Sequence, residues 1–356
     1  MSRRRYDESD AKGRPNPRGS RPRTKDRPAH ADAVPGRELT VDRGRYTVLV
    51  DEGGQEREVH AMKARELGKA GVIVGDRVGI VGNSSGDADT LARVVRVDER
   101  TGTLRRTADD TDPVERIIVT GVDQLVIVTA LADPEPRPRM VDRCLVAAYA
   151  AGLEPLLCLT KADLVDAPVL AAFLAQYEAL DLATVVTSRS STGELVDLEA
   201  VRERLAGRDS VLVGHSGVGK STLVNALVPG AYRAIGRVNE VTGRGRHTSS
   251  SAVALRMRDA GGRPAGWVTD TPGVRSFGLA HVQPAQLLQS FPDLAAGEPL
   301  CPRGCTHDEN DCGLDEFVAH DAGSASGPAR LESLRRLLRA RSAPDEEDRS
   351  VRGDQH

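Results

Sequence analysis

Residues 214–222 read Gly-His-Ser-Gly-Val-Gly-Lys-Ser-Thr, and few stretches of this length restrict a fold so tightly. Gly214, Gly219, Lys220 and Ser221 occupy every fixed position of the phosphate-loop pattern G-x-x-x-x-G-K-[ST]. The pattern works only where a buried strand runs into a helix. Its glycines let backbone N–H groups curl around phosphate, at a helix N-terminus whose partial positive charge favours anions. The flanks meet that condition: Ser210–Val213 is a short apolar run of strand type, and Ser221–Val228 opens an apolar-periodic helix. Gly214, His215, Ser216, Gly217, Val218, Gly219, Lys220, Ser221 and Thr222 are therefore expected to cradle a nucleotide. Lys220 is expected to act on the outer phosphates as a catalytic group, and Ser221 to hold Mg²⁺.

Upstream, strand-like and helix-like stretches alternate. Gln124–Thr129, Leu156–Leu159 and Ala183–Val186 read as strands, Arg137–Ala151 and Ala167–Leu180 as helices. Alternation of this kind predicts a parallel sheet covered by helices on both faces, with ligands beyond the carboxyl ends of the strands. The second strand runs into Thr160-Lys161-Ala162-Asp163, where guanine-specific P-loop proteins carry N-K-x-D. An Asp163 carboxylate accepts from the guanine N1–H and N2 amine while the Lys161 stem packs on the base. Adenine lacks that donor pair and would leave the carboxylate unpaired. Thr160 stands where the pattern has Asn, and a hydroxyl keeps one local hydrogen bond but not both ends of an amide. Thr187, Ser188 and Arg189 follow the third strand and are candidates for backing the base.

Downstream, Gly243-Arg244-Gly245-Arg246-His247-Thr248 has the Gly/Arg texture of a nucleotide-sensing switch, with Thr248 a candidate Mg²⁺ ligand. Strands at Ser251–Met257 and Trp267–Thr269 follow, and the second ends in Asp270-Thr271-Pro272-Gly273. This D-x-x-G supplies a carboxylate near Mg²⁺ and, in Gly273, an N–H for the γ-phosphate. The base-reading turn thus precedes the phosphate loop, the reverse of the usual order in small GTPases. A circularly permuted sheet explains the inversion, because domain termini lie at the surface and often close together.

The rest of the 356-residue chain is flanking structure. Residues 1–30 hold ten Arg/Lys against four acids and almost no apolar side chains, the texture of a disordered basic arm suited to nucleic acid. Short β-type runs at Arg45–Val50, Val72–Val81 and Leu91–Val97 suggest an OB-type barrel. With only Tyr46 for stacking, any RNA contact there would lean on Arg93, Arg96, Arg100, Arg105 and Arg106. Cys301-x₃-Cys305-x-His307-x₄-Cys312 gathers three thiols and an imidazole, a set suited to a closed, structural Zn²⁺ site. Leu331–Leu338 reads as a short basic amphipathic helix compatible with packing or RNA contact. No apolar run approaches the roughly 20 residues that span a bilayer, and the N-terminus lacks the apolar core of a signal peptide.

Taken together, these motifs resemble the ribosome small-subunit-dependent GTPase A family (RsgA, also called YjeQ). The resemblance covers nearly everything from about Val34 to Leu338. It implies a multidomain chain: a basic arm over 1–33, an OB-fold RNA-binding domain over 34–110, a circularly permuted GTPase domain over 111–282, a small α-helical zinc-binding domain over 283–341 and an acidic tail over 342–356. It further implies a cytoplasmic GTPase acting in late maturation of the 30S subunit, with 16S rRNA as partner and Mg²⁺ bound with GTP, and a monomer is expected. A nucleotide-regulated RNA-binding scaffold in which hydrolysis is incidental and an ATP-using P-loop enzyme are the alternatives. Val274 stands where many GTPases place a water-orienting Gln. Intrinsic turnover is therefore expected to be slow until a partner completes the site. His247 is the catalytic candidate for contacting the attacking water, with contact to RNA phosphate as its alternative.

Overall fold

In the computed structural model the described residues are 30–42, 44–68, 71–87, 90–106, 116–231, 252–271, 279, 282–320 and 327–342. Most of the basic arm, the acidic tail beyond 342, and the expectations placed on His247, Thr248, Gly273 and Val274 lie outside them.

The first five strands are β1 (Val34–Asp42), β2 (Arg45–Glu52), β3 (Gln55–Lys63), β4 (Arg77–Val81) and β5 (Ala92–Val97). Strands β2 and β3 form a hairpin because Gly53 and Gly54 both take positive φ, as a tight two-residue turn requires. Alternate side chains (Val48, Val50, Val59, Ala61) then face inward with Val78, Ile80 and Val94. Pairing runs β1-β2-β3-β5-β4, and β1 pairs β4 to close a five-stranded OB-like barrel. Tyr46 is part of the barrel core and not a stacking platform for RNA. Arg100 is likewise committed, gripping the buried Asp76 carboxylate with two hydrogen bonds at 2.7 and 2.8 Å.

A short antiparallel pair, β6 (Leu104–Arg106) with β7 (Arg116–Val119), leads out of the barrel. The second sheet contains β8 (Gln124–Ala130), β9 (Glu154–Thr160), β10 (Ala183–Val186), β13 (Asp209–Val213), β14 (Val253–Arg258) and β15 (Pro264–Asp270). A two-stranded ribbon of β11 (Ser188–Arg189) and β12 (Leu195–Val196) lies between β10 and β13 in the chain. The order β10-β9-β8-β13-β15-β14 is parallel except for β14. Every residue of β8 is buried, as a strand covered on both faces must be. Helix α2 (Ala167–Ala175) follows α1 (Pro138–Ala150) in the chain. Leu125 and Ile127 pack toward α1, while Val126 and Val128 join α3 (Leu198–Leu205) and α4 (Lys220–Leu227) on the other face.

Barrel and sheet are fused at one edge, where Thr40 of β1 pairs Val253 of β14. Arg37 crosses the junction, bonding Asp209 at 2.7 Å and lying 4.4 Å from the Trp267 ring centroid, with Arg256 4.8 Å from the same ring.

The C-terminal helices are α5 (Pro284–Gln289), α6 (Pro292–Ala295), α7 (Gly313–His320) and α8 (Gly327–Ser342). They have no core of their own. Leu287, Leu288, Phe291, Leu334 and Leu337 share one cluster with Leu145 and Val146 of α1. The arginines of α8 face this structure: Arg330 pairs with Asp293, Arg335 with Asp315, Arg336 with Asp142 and Arg339 with Asp308. Of the two roles open to this basic helix, packing is the one its arginines serve.

Asp142 of α1 is buried against Arg336, and burial outweighs the attraction, pushing its carboxyl up to about 6. A folded value above the unfolded one means that its stabilising contribution is complete below about 4 and is lost as pH rises through 6. Asp142→Asn, neutral throughout, is expected to gain thermal stability relative to the parent chain between pH 4 and pH 7. Parallel melting profiles for the two proteins over that range would contradict this assignment.

Candidate nucleotide site and metal centre

Because β13, β15, β8, β9 and β10 run parallel, the loops at their carboxyl ends meet along one edge. The phosphate loop leaves β13 at Gly214, where a Cβ would lie 2.5 Å from the Val128 carbonyl oxygen of β8. Only glycine lets the backbone pass so close. Gly217 and Gly219 take φ of 85° and 90°, conformations that L side chains resist, and α4 starts at Lys220. His215 is buried and its Nδ1 donates to the Ser216 carbonyl at 3.0 Å, while Ser216 and Ser221 are exposed.

Lys220 Nζ lies 2.7 Å from Asp270 Oδ1 and 3.0 Å from the Thr271 carbonyl. This half-buried ammonium–carboxylate pair joins the phosphate loop to Asp270, the first residue of the D-x-x-G segment, at the end of β15. The Thr271 hydroxyl donates to Leu212 O at 2.7 Å and fixes the start of that segment to β13.

The base-side turn is held just as firmly. Thr160 is buried at the end of β9, and its hydroxyl is 2.6 Å from the Val218 carbonyl of the phosphate loop. Lys161 adopts a left-handed conformation (φ 58°), and Ala162 N donates to Thr187 O at 3.2 Å. Asp163 is exposed, and its Oδ1 accepts from Arg189 N at 2.8 Å. Arg189 also reaches Thr222 Oγ1 at 3.3 Å. Thr187 is fully buried and bonded to Leu159 O, while Ser188 and Arg189 form β11. The fold therefore brings residues 214–222, Thr160 to Asp163, Thr187 to Arg189 and Asp270 to one edge of the sheet.

One contributor is absent from the sequence-based site. The segment after β8 carries Asp133 and Pro134; the Asp133 carbonyl accepts from Lys161 Nζ, and Pro134 lies beside Gly217. Its position after a parallel strand was the available signal, since every such segment faces the ligand edge.

The second cluster belongs to the C-terminal helices. The ligand atoms of Cys301, Cys305, His307 and Cys312 lie within 4.8 Å of one another, so the four can hold a metal ion. Cys301 Sγ is 3.8 Å from Cys312 Sγ and 3.6 Å from His307 Nδ1. A tetrahedral ion with metal–sulfur bonds of about 2.3 Å needs sulfurs roughly 3.8 Å apart, so the residues fit. Burial lowers the His307 pKa, favouring the neutral imidazole that ligates, and raises that of Cys305 to about 12. Arg335 donates to His307 O at 3.2 Å, and Leu314, two residues past Cys312, is fully buried. The cluster thus fastens the 301–312 loop to the shared core.

Comparison with known proteins agrees with this geometry. The family model described as RsgA GTPase matches residues 97–280. The small ribosomal subunit biogenesis GTPase RsgA of Gemmatimonas aurantiaca is 37% identical over 300 residues, covering 83% of this chain and 93% of that protein. The protein of the same name from Azotobacter vinelandii is 40% identical over 233 residues, covering 64% of each. The crystal structure of YjeQ from Thermotoga maritima matches with a TM-score of 0.62 at 26% identity, over 87% of this chain and 99% of that one. The structure of YloQ, described as a circularly permuted GTPase, matches the fold with a TM-score of 0.59 at 23% identity, over 89% and 98% of the two chains.

Cys312→Ser is expected to abolish metal retention and lower the thermal midpoint by about 5 °C or more, since ligation here is folding energy. Elemental analysis with calorimetry checks this. Full metal content and an unchanged midpoint would remove the four residues from any metal site.

Proposed function

Since this chain belongs to the RsgA GTPase family and is a GTP hydrolase, we propose that it acts on the small (30S) ribosomal subunit in late maturation and leaves it on hydrolysis. The carrying observation is the sheet order β10-β9-β8-β13-β15-β14. It brings Thr160 to Asp163, residues 214–222 and Asp270 to one edge despite their inverted order in the chain. The name of the Gemmatimonas relative, which this chain covers almost fully, supports the ribosomal assignment.

In this reading Asp163 accepts the guanine donors, and the N–H groups of 214–222 surround the phosphates. Ser221, Asp270 and Thr248 would hold a Mg²⁺ ion bound with the nucleotide, which would supply charge neutralisation at the phosphoryl group. Lys220, now bonded to Asp270, carries the positive charge that faces the outer phosphates. Gly273 offers its N–H to the γ-phosphate, and His247 orients the attacking water or meets RNA phosphate. Val274 cannot orient water, so the subunit completes the site. Zinc is the ion assigned to Cys301, Cys305, His307 and Cys312, because three thiolates and an imidazole suit it and leave no open position.

The basic arm over 1–33 and the barrel surface, including the exposed Arg93, would contact 16S rRNA. Among the described residues no helix is long and apolar enough to cross a membrane. The cytoplasm, where small subunits mature, is the assigned compartment. The monomer is the form assigned to act. The divisions 34–110, 111–282 and 283–341 serve as barrel, switch and lever, the last two sharing a core.

Two measurements test this reading. GTP turnover by the purified protein is expected to rise by at least tenfold with 30S subunits, and ATP turnover not at all. Equal use of ATP, or indifference to 30S, would overturn the assignment. Asp163→Asn offers one acceptor and one donor, which matches xanthine better than guanine. It is expected to lose about a hundredfold in GTP affinity and to gain for XTP, as nucleotide titration will show.

A further inference from the structure

Thr160 has the backbone of a strand residue and the side chain of a loop anchor. Its carbonyl accepts from Leu131 N at 3.0 Å and it registers with Ala130 of β8, so its Cα is fixed by the sheet. Its hydroxyl lies 2.6 Å from Val218 O and 3.3 Å from Thr129 O. A hydroxyl carries one proton, and the shorter contact takes it. Val218 is wholly buried, so water does not replace that donor at its carbonyl.

The route of the loop explains the meeting. Strand β9 is not the neighbour of β13; β8 lies between them. The Gly214 backbone passes over the end of β8 against Val128 O and carries the loop across to β9. A Cβ on Gly219 would lie 3.7 Å from Thr160 Oγ1, so the loop's last turn sits directly on this threonine. The 218–219 peptide is planar and trans. Holding its C=O toward Thr160 aims the Gly219 N–H the opposite way, just before α4 begins.

We propose that Thr160 is a positioning residue for the phosphates and not a reader of the base. By fixing the Val218–Gly219 peptide it sets the N–H groups that receive phosphate and makes the Asp163 turn and the Lys220 loop one rigid unit. A second strap runs parallel to it, from Asp163 through the Arg189 backbone N–H and guanidinium to Thr222. The proposal rests on the GTP-binding reading above, and it changes what the threonine is for. The hydroxyl's work is done on the phosphate side, so its loss is felt equally by every nucleotide that bears phosphates, whatever its base.

Thr160→Val keeps the volume, removes the donor and leaves the Val218 carbonyl buried without a partner. Full-length protein is titrated with GTP, GDP and ITP, the last lacking the N2 amine that Asp163 accepts. The expected result is a loss of about tenfold for all three nucleotides in Thr160→Val, with Thr160→Ser recovering most of it. A changed GTP/ITP ratio in Thr160→Val would make the residue a base reader, and unchanged affinities would remove its hydroxyl from the loop; either overturns the proposal. Should Thr160→Val fail to fold, Thr160→Ala takes its place with the same expectations. Parent protein that binds GTP and ITP equally would count against Asp163 alone, because the uniform loss in Thr160→Val is judged separately.

Discussion

Parallel pairing of β13 with β8 on one side and β15 on the other is the interaction on which the rest depends. It puts the phosphate loop at the middle of the ligand edge and delivers the loops of its neighbours on either flank. The edge is indifferent to the order in which strands enter it. Strands β8, β9 and β10 come before β13 in the chain, β14 and β15 after it, and the site is built all the same. What the order does change is which segment leads outward. In this chain β15 and its Asp270 lead toward Leu279 and Val282, both buried in the core shared with the C-terminal helices.

Much of this was legible beforehand, and the pattern of success has a physical basis. Strong local signals carried through: the strand at Ser210–Val213 and the helices near Arg137 and Ser221 appear within about two residues of their expected ends. A phosphate loop dictates its own surroundings, and a central parallel strand cannot hide its apolar run. The expected strand Val72–Val81 begins only at Arg77. Gly75 takes φ of 92°, and the Asp76 carboxylate accepts from Ile73 N at 2.8 Å, so the first half is a turn. The expected helix to Leu180 stops at Ala175 and gives way to a short tight turn at Glu178–Leu180.

Sequence reading was weakest where it had to name partners. Periodicity tells that Tyr46 is half apolar and that α8 is basic on one side; it does not tell what lies opposite. The ring went to the barrel core, and the arginines of α8 went to Asp293, Asp315, Asp142 and Asp308, which lie as many as 194 positions away. The Lys161–Asp133 contact was equally hidden, because a carbonyl acceptor leaves no trace in residue type. Within the site, residue types identified who attends and the tertiary fold decided how they are held.

The position of β13 has a further consequence during synthesis. A ribosome releases β8, β9 and β10 before the strand that completes them, and β8 is apolar along its whole length. Until β13 emerges, one side of β8 presents unpaired backbone groups and bare apolar side chains to the nascent chain's surroundings. Helix α1 can cover one face early, but the open edge persists for the roughly 80 residues that separate the two strands. The nascent chain thus passes through a stage with an exposed sheet edge, which the arrival of its phosphate-loop strand brings to an end.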